Sequence, residues 1–386
     1  MINEFLFKMP TKVIFGNGVI NQVGQIVKEL GAQKIMLVAD KGVRSTGLTE
    51  KVADALRAEG IAIVDWDRIV PNPRITDCEA AAKLGRDEGI EAFVAVGGGS
   101  SIDTAKAAAG MLGHNTLDFD VIKFPKEYTC EAMPLIAIPT TAGTGSEVTT
   151  CGVITDESTH TKVFCYDPKC APTVALADPE VLLGLPEHIA SATGLDALTH
   201  AIEGYVAQCT NPITEAMGLY AITLLHDNLR DYIYRRNINV CEAMMMGSLM
   251  AGISFGYSDT CSVHSMSESI GGEYDTPHGV ANAIFLADVC EYSIPSNLPK
   301  YVNIAKALGI KSEGLSDREA AQAGVEEIRM LVSDLKIPKF SALDRVDPAD
   351  FERIARKCEA HISNPDNPRP LTAGEFFEIL TKVYNA

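Results

Sequence analysis

A strand, a glycine turn and the first turns of a helix follow one another in the stretch Val94-Ala95-Val96-Gly97-Gly98-Gly99-Ser100-Ser101-Ile102-Asp103-Thr104-Ala105-Lys106. The short apolar run before the glycines is typical of a buried strand in a parallel sheet. Glycines let the backbone approach a ligand closely, and the helix that follows presents free amide groups and the positive end of its dipole. A diphosphate fits such a turn. The GxGxxG fingerprint and the Walker A spacing are both absent, however, and a glycine turn alone can be no more than a tight turn.

Strands and helices alternate on both sides of this stretch through the first half of the chain. Apolar, strand-like runs alternate with segments of helical periodicity in the order 34–40, 49–59, 61–65, 77–88, 92–96, 102–111 and 135–139. This alternation predicts a parallel sheet with right-handed crossovers.

The second half of the chain has helical periodicity and almost no strand-like runs. Helices are expected at 193–207, 212–228, 240–255, 263–271, 278–292, 298–307, 317–335 and 347–358. We therefore predict two domains. Residues 1–184 form an α/β domain with a parallel dinucleotide-binding sheet, and residues 185–386 form an all-α metal-binding domain.

Composition excludes several classes of function. The chain has 386 residues and a formal net charge of −18, which argues against a nucleic acid or an anionic membrane surface as a partner. Its ten cysteines form no CxxC pair, so reduced thiols and a cytoplasmic location are expected. The N-terminal residues lack a signal-peptide pattern, and no run of about eighteen apolar residues predicts a membrane span.

One candidate metal site is spread over about eighty positions. Asp196 and His200 stand four residues apart in a helical stretch, so both can lie on one helix face, although such pairs are also common on helix surfaces. His264 and His278 follow in a segment rich in glycine and serine. Three imidazoles and one carboxylate, without a thiolate, suit Fe(II), Zn(II) or Mn(II).

Two further features are candidates for contacts with a nucleotide cofactor. A loop dense in glycine and hydroxyl residues, 139–149, follows a buried strand, where it either contacts a ligand or caps the next helix. Asp40 ends an earlier strand. An acid at that place accepts a hydrogen bond from a ribose 2′-hydroxyl and favours NAD over NADP, unless it serves as a helix N-cap.

Together these segments resemble the iron-containing (group III) alcohol dehydrogenases, the family of lactaldehyde reductases and 1,3-propanediol dehydrogenases. The resemblance covers nearly the whole chain, through the segments Phe15-Gly16-Asn17-Gly18, Gly97 to Asp103, Pro139 to Glu147, Asp196 to Glu203 and Pro277-His278-Gly279-Val280-Ala281-Asn282-Ala283.

The resemblance implies a nicotinamide cofactor between two domains and one divalent metal, most simply Fe(II). It implies that the metal ligands are Asp196, His200, His264 and His278, and that Phe255 lies near the substrate. It also implies cofactor contacts from Asp40, Asn72, Gly97, Gly98, Gly99, Ser100, Ser101, Asp103, Thr140, Thr141, Thr144, Thr149 and Lys162.

The chain departs from the family pattern at two positions. Glu268 stands where a second histidine, often assigned to proton relay or nicotinamide contact, is usual, and Cys151 stands where asparagine is common. Three roles for Glu268 remain open from the sequence. It can orient His264, which precedes it by four residues, it can relay a proton, or it can be an inert helix residue.

The sequence thus predicts an enzyme that transfers a hydride between NAD(H) and a short primary alcohol or aldehyde, as an aldehyde reductase that forms a homodimer or higher homo-oligomer. A polyol dehydrogenase resembling glycerol dehydrogenase or a lyase resembling dehydroquinate synthase, on the same architecture, is the alternative. A protein of another class, a non-catalytic nucleotide sensor or scaffold, is disfavoured by the four ligands.

Overall fold

The computed structural model of the chain describes residues 4–159 and 161–386. The chain divides into two compact units. One comprises Lys8–Thr141 and Gly145–Leu185, and the other comprises residues 4–7, Ala142–Thr144 and Pro186–Ala386. The domain division at residues 184 and 185 stays a prediction. The compact units differ from it at residues 4–7 and 142–144, which group with the helical part of the chain.

The first unit contains a six-stranded sheet. Its strands are β1 (Lys12–Phe15), β2 (Lys34–Val38), β3 (Ala62–Trp66), β4 (Ala92–Gly97), β5 (Leu135–Pro139) and β8 (Val174–Ala177). They lie in the order β1-β8-β5-β4-β2-β3, and every neighbouring pair is parallel. The predicted parallel sheet is confirmed. A separate antiparallel hairpin, β6 (Cys151–Asp156) and β7 (Thr161–Tyr166), was not predicted, and neither were β1 and β8.

Helices of this unit connect the strands and cover the sheet. They are α1 (Val23–Glu29), α2 (Lys41–Ser45), α3 (Leu48–Ala58), α4 (Ile75–Glu88) and α5 (Gly99–Gly113). Alternate residues of β2 lie in different clusters of the core, Ile35 and Leu37 in one and Met36 and Val38 in the other. Both faces of the strand are therefore buried, which is why the central strands are continuously apolar in the sequence.

The strand order creates a crevice at one edge of the sheet. The connection from β2 leads outward to β3, and the next strand, β4, lies on the opposite side of β2. In open α/β sheets, ligands bind outside the carboxyl ends of the strands where the order reverses in this way. Asp40 follows β2 and the glycine turn follows β4, so both candidates for cofactor binding lie at this point.

The second unit is helical. Its helices are α6 (Glu187–Val206), α7 (Pro212–Tyr234), α8 (Ile238–Gly256), α9 (Ser262–Tyr274), α10 (His278–Ser293), α11 (Leu298–Ala307), α12 (Asp317–Asp334), α13 (Phe351–Glu359) and α14 (Ala373–Asn385). None of the described residues of this unit lies in a strand, and the predicted all-α character is confirmed. Helix α14 was not predicted.

Helix α8 is, among the described residues, the one helix that is long and apolar enough to cross a membrane. An 18-residue window has a mean hydropathy of 1.3, and 56% of that window is buried inside the protein. The helix packs against α6 and α7. A core helix of a globular protein has the same length and composition, so this helix is weak evidence for a membrane span.

Candidate metal centre

Four side chains that are far apart in the sequence meet in the helical unit. One ligand atom from each of Asp196, His200, His264 and His278 lies within 4.8 Å of every other, which is a spacing that a single ion can bridge. Helix α6 supplies the first two, α9 the third and α10 the fourth. The set is suited to binding a metal ion, and its nitrogen and carboxylate donors match a borderline divalent cation such as Fe(II).

The first turn of α10 comes close to α6 because of a glycine. His278 is the first residue of α10 and Gly279 the second. A Cβ atom at Gly279 would collide with the carbonyl oxygen of Ala192 and would lie 3.2 Å from the Cβ of Asp196. The missing side chain therefore lets His278 stand beside Asp196, with 3.7 Å between Nε2 and Oδ1.

A buried carboxylate fixes the orientation of His264. Nδ1 of His264 donates to Oε2 of Glu203, and Oε1 of Glu203 accepts a bond of 2.7 Å from the backbone N–H of Val263. Glu203 is 2% exposed and lies one helical turn after His200 on α6. Because Nδ1 carries the proton, Nε2 of His264 presents its lone pair to the site.

Two imidazole nitrogens face each other across the site. Nδ1 of His200 lies 3.3 Å from the carbonyl oxygen of Gly143, to which it donates, so Nε2 of this ring is also an acceptor. The Nε2 atoms of His200 and His264 are 3.0 Å apart. Two lone pairs at this distance are favourable only when a proton or a cation lies near both, so the donor set fits a metal ion.

The protonation states of His200 and Asp196 also suit a cation. Burial lowers the pKa of His200 to about 3, although Asp196 opposes this shift. Burial would raise the pKa of Asp196, but the three imidazoles lower it below its usual value. Near neutral pH, His200 is therefore neutral and Asp196 ionised, which are the forms that ligate metals. For His264, burial lowers the pKa, but Glu203 outweighs it and raises the pKa.

Asn282 holds the carboxylate of Asp196 from the side of α10. It lies one turn after His278, and its Nδ2 donates to Oδ1 of Asp196 at 2.7 Å. The same Nδ2 lies 3.3 Å from Nε2 of His264 and 3.2 Å from Nε2 of His278. Among the described residues, its buried Oδ1 has no hydrogen-bond partner. Asn282 thus touches three of the four ligands.

Phe255 forms one wall of the site. Its ring stacks on that of His200, with 4.1 Å between the centroids and 15° between the planes. The ring is half-buried near the C-terminus of α8. Stacking restricts the rotation of His200 and places an apolar surface beside the ligands, as expected for an aromatic residue near a substrate.

Glu268 does not orient His264, because Glu203 does. Its Oε2 instead accepts a hydrogen bond of 2.9 Å from Nε2 of His361, a residue that follows α13. The side chain of Glu268 is 9% exposed, so it is not a surface residue of its helix. Burial would raise the pKa of Glu268, but His361 lowers it to about 2.

Asp40 and the glycine turn, both expected at the dinucleotide site, lie where strands β2 and β4 end. Asp40 is the N-cap of α2, where Oδ1 accepts a bond of 2.9 Å from the backbone of Val43. A Cβ atom at Gly97 would collide with the hydroxyl of Ser101 and would lie 3.6 Å from Oδ2 of Asp40. Asp40 is therefore both a cap and a neighbour of the glycine turn, with one carboxylate oxygen not used by the cap.

The glycine turn continues directly into α5. Gly98 is the N-cap, and the first turn of the helix contains Gly99, Ser100 and Ser101. Thr140 and Thr141 follow the neighbouring strand β5, and the backbone N–H of Thr140 donates to Gly97 at 3.1 Å. Thr144 lies further along this loop, in the segment that groups with the helical unit.

Asp103 and Thr149 are largely engaged by other protein groups. Oδ1 of Asp103 accepts a bond of 2.5 Å from Ser146, and Oδ2 accepts one of 3.1 Å from the backbone of Val153. Thr149 accepts a bond of 2.9 Å from the buried amine of Lys106, which also donates to the carbonyl oxygen of Cys151. These hydrogen bonds connect α5 to the loop and to the hairpin.

Asn72 pairs with Lys162, a residue of the hairpin. Nζ of Lys162 donates to Oδ1 of Asn72 at 2.8 Å and to Thr155 at 3.0 Å. Asn72 has a φ of 57°, a left-handed conformation that asparagine tolerates better than most residues. Both residues are half-buried; Asn72 precedes α4, and Lys162 lies in β7.

Sequence reasoning missed three residues that organise the metal centre. Glu203 and Asn282 lie at helical spacing from His200 and His278, so their place on the ligand-bearing faces could have been inferred. His361 gave no such indication, because it reaches Glu268 from a segment 93 residues away.

Comparisons with known proteins give matches over nearly the whole chain. A family model for iron-containing alcohol dehydrogenase matches residues 10–179, and the C-terminal model of the same family matches residues 190–384. An NAD-dependent methanol dehydrogenase from Bacillus methanolicus is 34% identical over 97% of this chain and 98% of its own. The lactaldehyde reductase of Escherichia coli (strain K12) is 36% identical over 95% of this chain and 96% of its own.

A solved structure is similar over the whole chain. The crystal structure of a 1,3-propanediol oxidoreductase superposes with a TM-score of 0.95 and 34% identity, covering 99% of this chain and 100% of the other. The resemblance inferred from the sequence motifs is thereby confirmed.

Proposed function

Because the chain belongs to the iron-containing alcohol dehydrogenase family, we propose that this oxidoreductase transfers a hydride between NAD(H) and a short primary alcohol or aldehyde, as a metal-dependent aldehyde reductase. The observation that carries the proposal is the convergence of Asp196, His200, His264 and His278. The NAD-dependent methanol dehydrogenase and the lactaldehyde reductase support the cofactor and the substrate class.

In this proposal the protein binds two groups, a divalent metal ion and the cofactor NAD(H). The four ligands hold one divalent ion, with Fe(II) as the first choice and Zn(II) or Mn(II) as alternatives. The crevice beside Asp40 and the glycine turn holds NAD(H). When bound, the ion supplies Lewis acidity toward an alcohol or carbonyl oxygen and the nicotinamide gives or accepts the hydride.

The protein's own residues orient the groups that bind. Glu203 fixes the tautomer of His264, and Asn282 holds the carboxylate of Asp196, so both ligands are preorganised. Phe255 packs on His200 and limits the space beside it, which favours a short substrate. The backbone amides at the start of α5 are placed to bind the diphosphate.

Oxidation of an alcohol also releases a proton from its hydroxyl group. Glu268 is poorly suited to accept it, because a carboxyl group with a pKa of about 2 stays ionised near neutral pH. We therefore assign the proton to a path through water or a ribose hydroxyl of the cofactor. At position 268 the chain has glutamate in place of the usual histidine of the family, so no side chain at this position relays the proton.

We further propose a cytoplasmic homodimer or higher homo-oligomer that acts on small molecules. All ten cysteines are free thiols, as in a reducing compartment. Leu6 is 92% exposed and Phe5 is 43% exposed near the N-terminus, which is an apolar surface that a second copy can cover. Sedimentation of the purified protein tests this proposal, because a monomer at micromolar concentration would contradict it.

A screen of cofactor and substrate tests the proposed function. Metal-stripped protein is reloaded separately with Fe(II), Zn(II) or Mn(II), and oxidation of NADH is followed with aldehydes of two to four carbons. We expect turnover that depends on the added ion and on a primary aldehyde. NADH oxidation confined to hydroxyketones such as dihydroxyacetone, which are the oxidised forms of polyols, or no NADH oxidation with any ion, would contradict the proposal.

A further inference from the structure

Glu268 is an anionic group close to the metal ligands. It lies four residues after His264 on α9, so both side chains leave the same face of the helix. Its charge acts on His264 and on His278. The side chain is 9% exposed, and within the part of the chain that the structure describes its only ion-pair partner is His361. Buried carboxylates are usually paired with a lysine or an arginine. One without such a partner is stabilised by any other cation or hydrogen-bond donor that reaches it.

His361 does not cancel this charge. Its Nδ1 accepts a hydrogen bond of 3.2 Å from the backbone N–H of Ser363, so Nδ1 carries no proton. The ring therefore has its single proton on Nε2, which it donates to Glu268, and it is neutral in this arrangement. The pair of Glu268 and His361 keeps one full negative charge.

One oxygen of Glu268 remains available. His361 binds Oε2, and no residue that the structure describes donates a hydrogen bond to Oε1. A carboxylate oxygen without a donor from the protein gains free energy from any donor or cation that reaches it. A ligand in the site can supply that partner.

The other charges of the centre do not compensate Glu268 either. A divalent ion would bring two positive charges, which the carboxylates of Asp196 and Glu203 balance, since ligating histidines are neutral. Glu268 is then a negative charge near the ligands that neither the ion nor the ligands compensate. In a largely buried site, such a charge acts on the substrate with little screening.

We propose that Glu268 forms an anionic subsite next to the metal ligands, which favours small primary alcohols and aldehydes that carry a cationic group and disfavours anionic ones. His361 positions this carboxylate. The inference rests on the proposed function and specifies its substrate class. At separations of about 7 Å, one unit charge in a site of intermediate polarity changes the preference for a charged substrate about tenfold.

Matched pairs of substrates isolate the effect of charge. Choline and 3,3-dimethyl-1-butanol have the same shape and differ in one positive charge. If the site is too small for the trimethylammonium group of choline, 2-aminoethanol and 1-propanol provide a smaller pair. The ratio of kcat/KM for cation over neutral alcohol, with NAD+, is compared between the wild type and Glu268→Gln. We expect the ratio to fall about tenfold in the variant.

Two control variants separate charge from structure. Glu273→Gln removes a carboxylate from the same helix, where it pairs with Arg353 and Lys357, and should leave the ratio within about twofold. His361→Gln keeps the charge of Glu268 and should also keep the preference. Calorimetry of each alcohol binding to zinc-loaded protein without NAD+ gives the ratio of affinities for cation over neutral alcohol, independently of turnover. Elemental analysis checks that the metal content of the variants is equal.

The outcomes distinguish the inference from the proposed function. If neutral short alcohols are oxidised but the cation ratio is equal in the wild type and Glu268→Gln, the subsite proposal is wrong and the dehydrogenase remains. If no alcohol of either pair is oxidised or bound by metal-replete wild type, the proposed function itself fails. A ratio that falls equally in Glu273→Gln would also overturn the subsite, because it would reflect net charge alone.

Discussion

At the scale of single residues, the candidate metal centre is organised by side chains that are not among the four proposed ligands. Glu203 decides which nitrogen of His264 faces the site, and Asn282 decides where the carboxylate of Asp196 lies. Such partners orient ligands before the metal binds, and their loss typically weakens metal affinity without removing a donor atom.

Glu203→Gln tests this role. The variant removes the carboxylate that accepts the hydrogen bond from Nδ1 of His264, so the tautomer of the ring is no longer fixed. We therefore expect metal affinity to fall about 10- to 100-fold. The dissociation constant is measured for Zn(II) by competition with a chelator. Glu187→Gln, an exposed acid at the start of the same helix, is the control. Equal affinity in Glu203→Gln and the wild type would show that the hydrogen bond has no orienting role.

Asp40 is predicted to set the choice of cofactor. Its carboxylate repels a 2′-phosphate and accepts a hydrogen bond from a 2′-hydroxyl, so the wild type should prefer NADH over NADPH. Asp40→Asn keeps an N-cap of equal quality for α2 and removes the charge. We expect its kcat/KM ratio of NADH to NADPH to fall about tenfold or more, since a charge is lost next to the phosphate. A wild type that prefers NADPH would refute the assignment.

At the scale of secondary-structure elements, the site requires α10 to start very close to α6. Gly279→Ala places a methyl group against the carbonyl oxygen of Ala192, so the first turn of α10 has to shift and His278 with it. We expect metal affinity to drop at least about tenfold and stability to fall by about 1–3 kcal/mol, as for overpacking in a core.

Gly184→Ala provides the matched control for that substitution. A Cβ atom at Gly184 meets no heavy atom within 4 Å, so the change from glycine to alanine costs nothing in packing there. Chemical denaturation and chelator competition are measured for both variants. Unchanged metal binding in Gly279→Ala would mean that the close approach of the two helices is dispensable.

Most elements with a strong local pattern could be predicted from the sequence and weakly patterned ones could not, but the buried strand β8 and helix α14 are exceptions. The continuously apolar β4 and β5 were found because both of their faces are buried. Strands β1 and β7 are only partly buried, so their mixed polarity resembles that of a loop. Helix α14 was overlooked although its start has a capping box formed by Thr372 and Glu375.

At the scale of the whole molecule, the four side chains that meet at the candidate metal centre could be predicted, and their surroundings could not. The i,i+4 spacing of Asp196 and His200 indicates a shared helix face, and the family resemblance supplied His264 and His278. Their meeting, and the pairing of Glu268 with His361, depend on how α6, α9, α10 and the segment after α13 pack together. No local pattern in a single sequence contains that information.

The central claim is that these four side chains hold a metal ion on which alcohol dehydrogenase activity depends. Bound metal and NADH-dependent reduction of a short aldehyde are measured on the same samples of wild type, His264→Ala and His278→Ala, after stripping and reloading. We predict about one ion per chain in the wild type, and a parallel loss of metal and activity in both variants, since each loses one of four donors. Full metal content together with full activity in both variants would contradict the account.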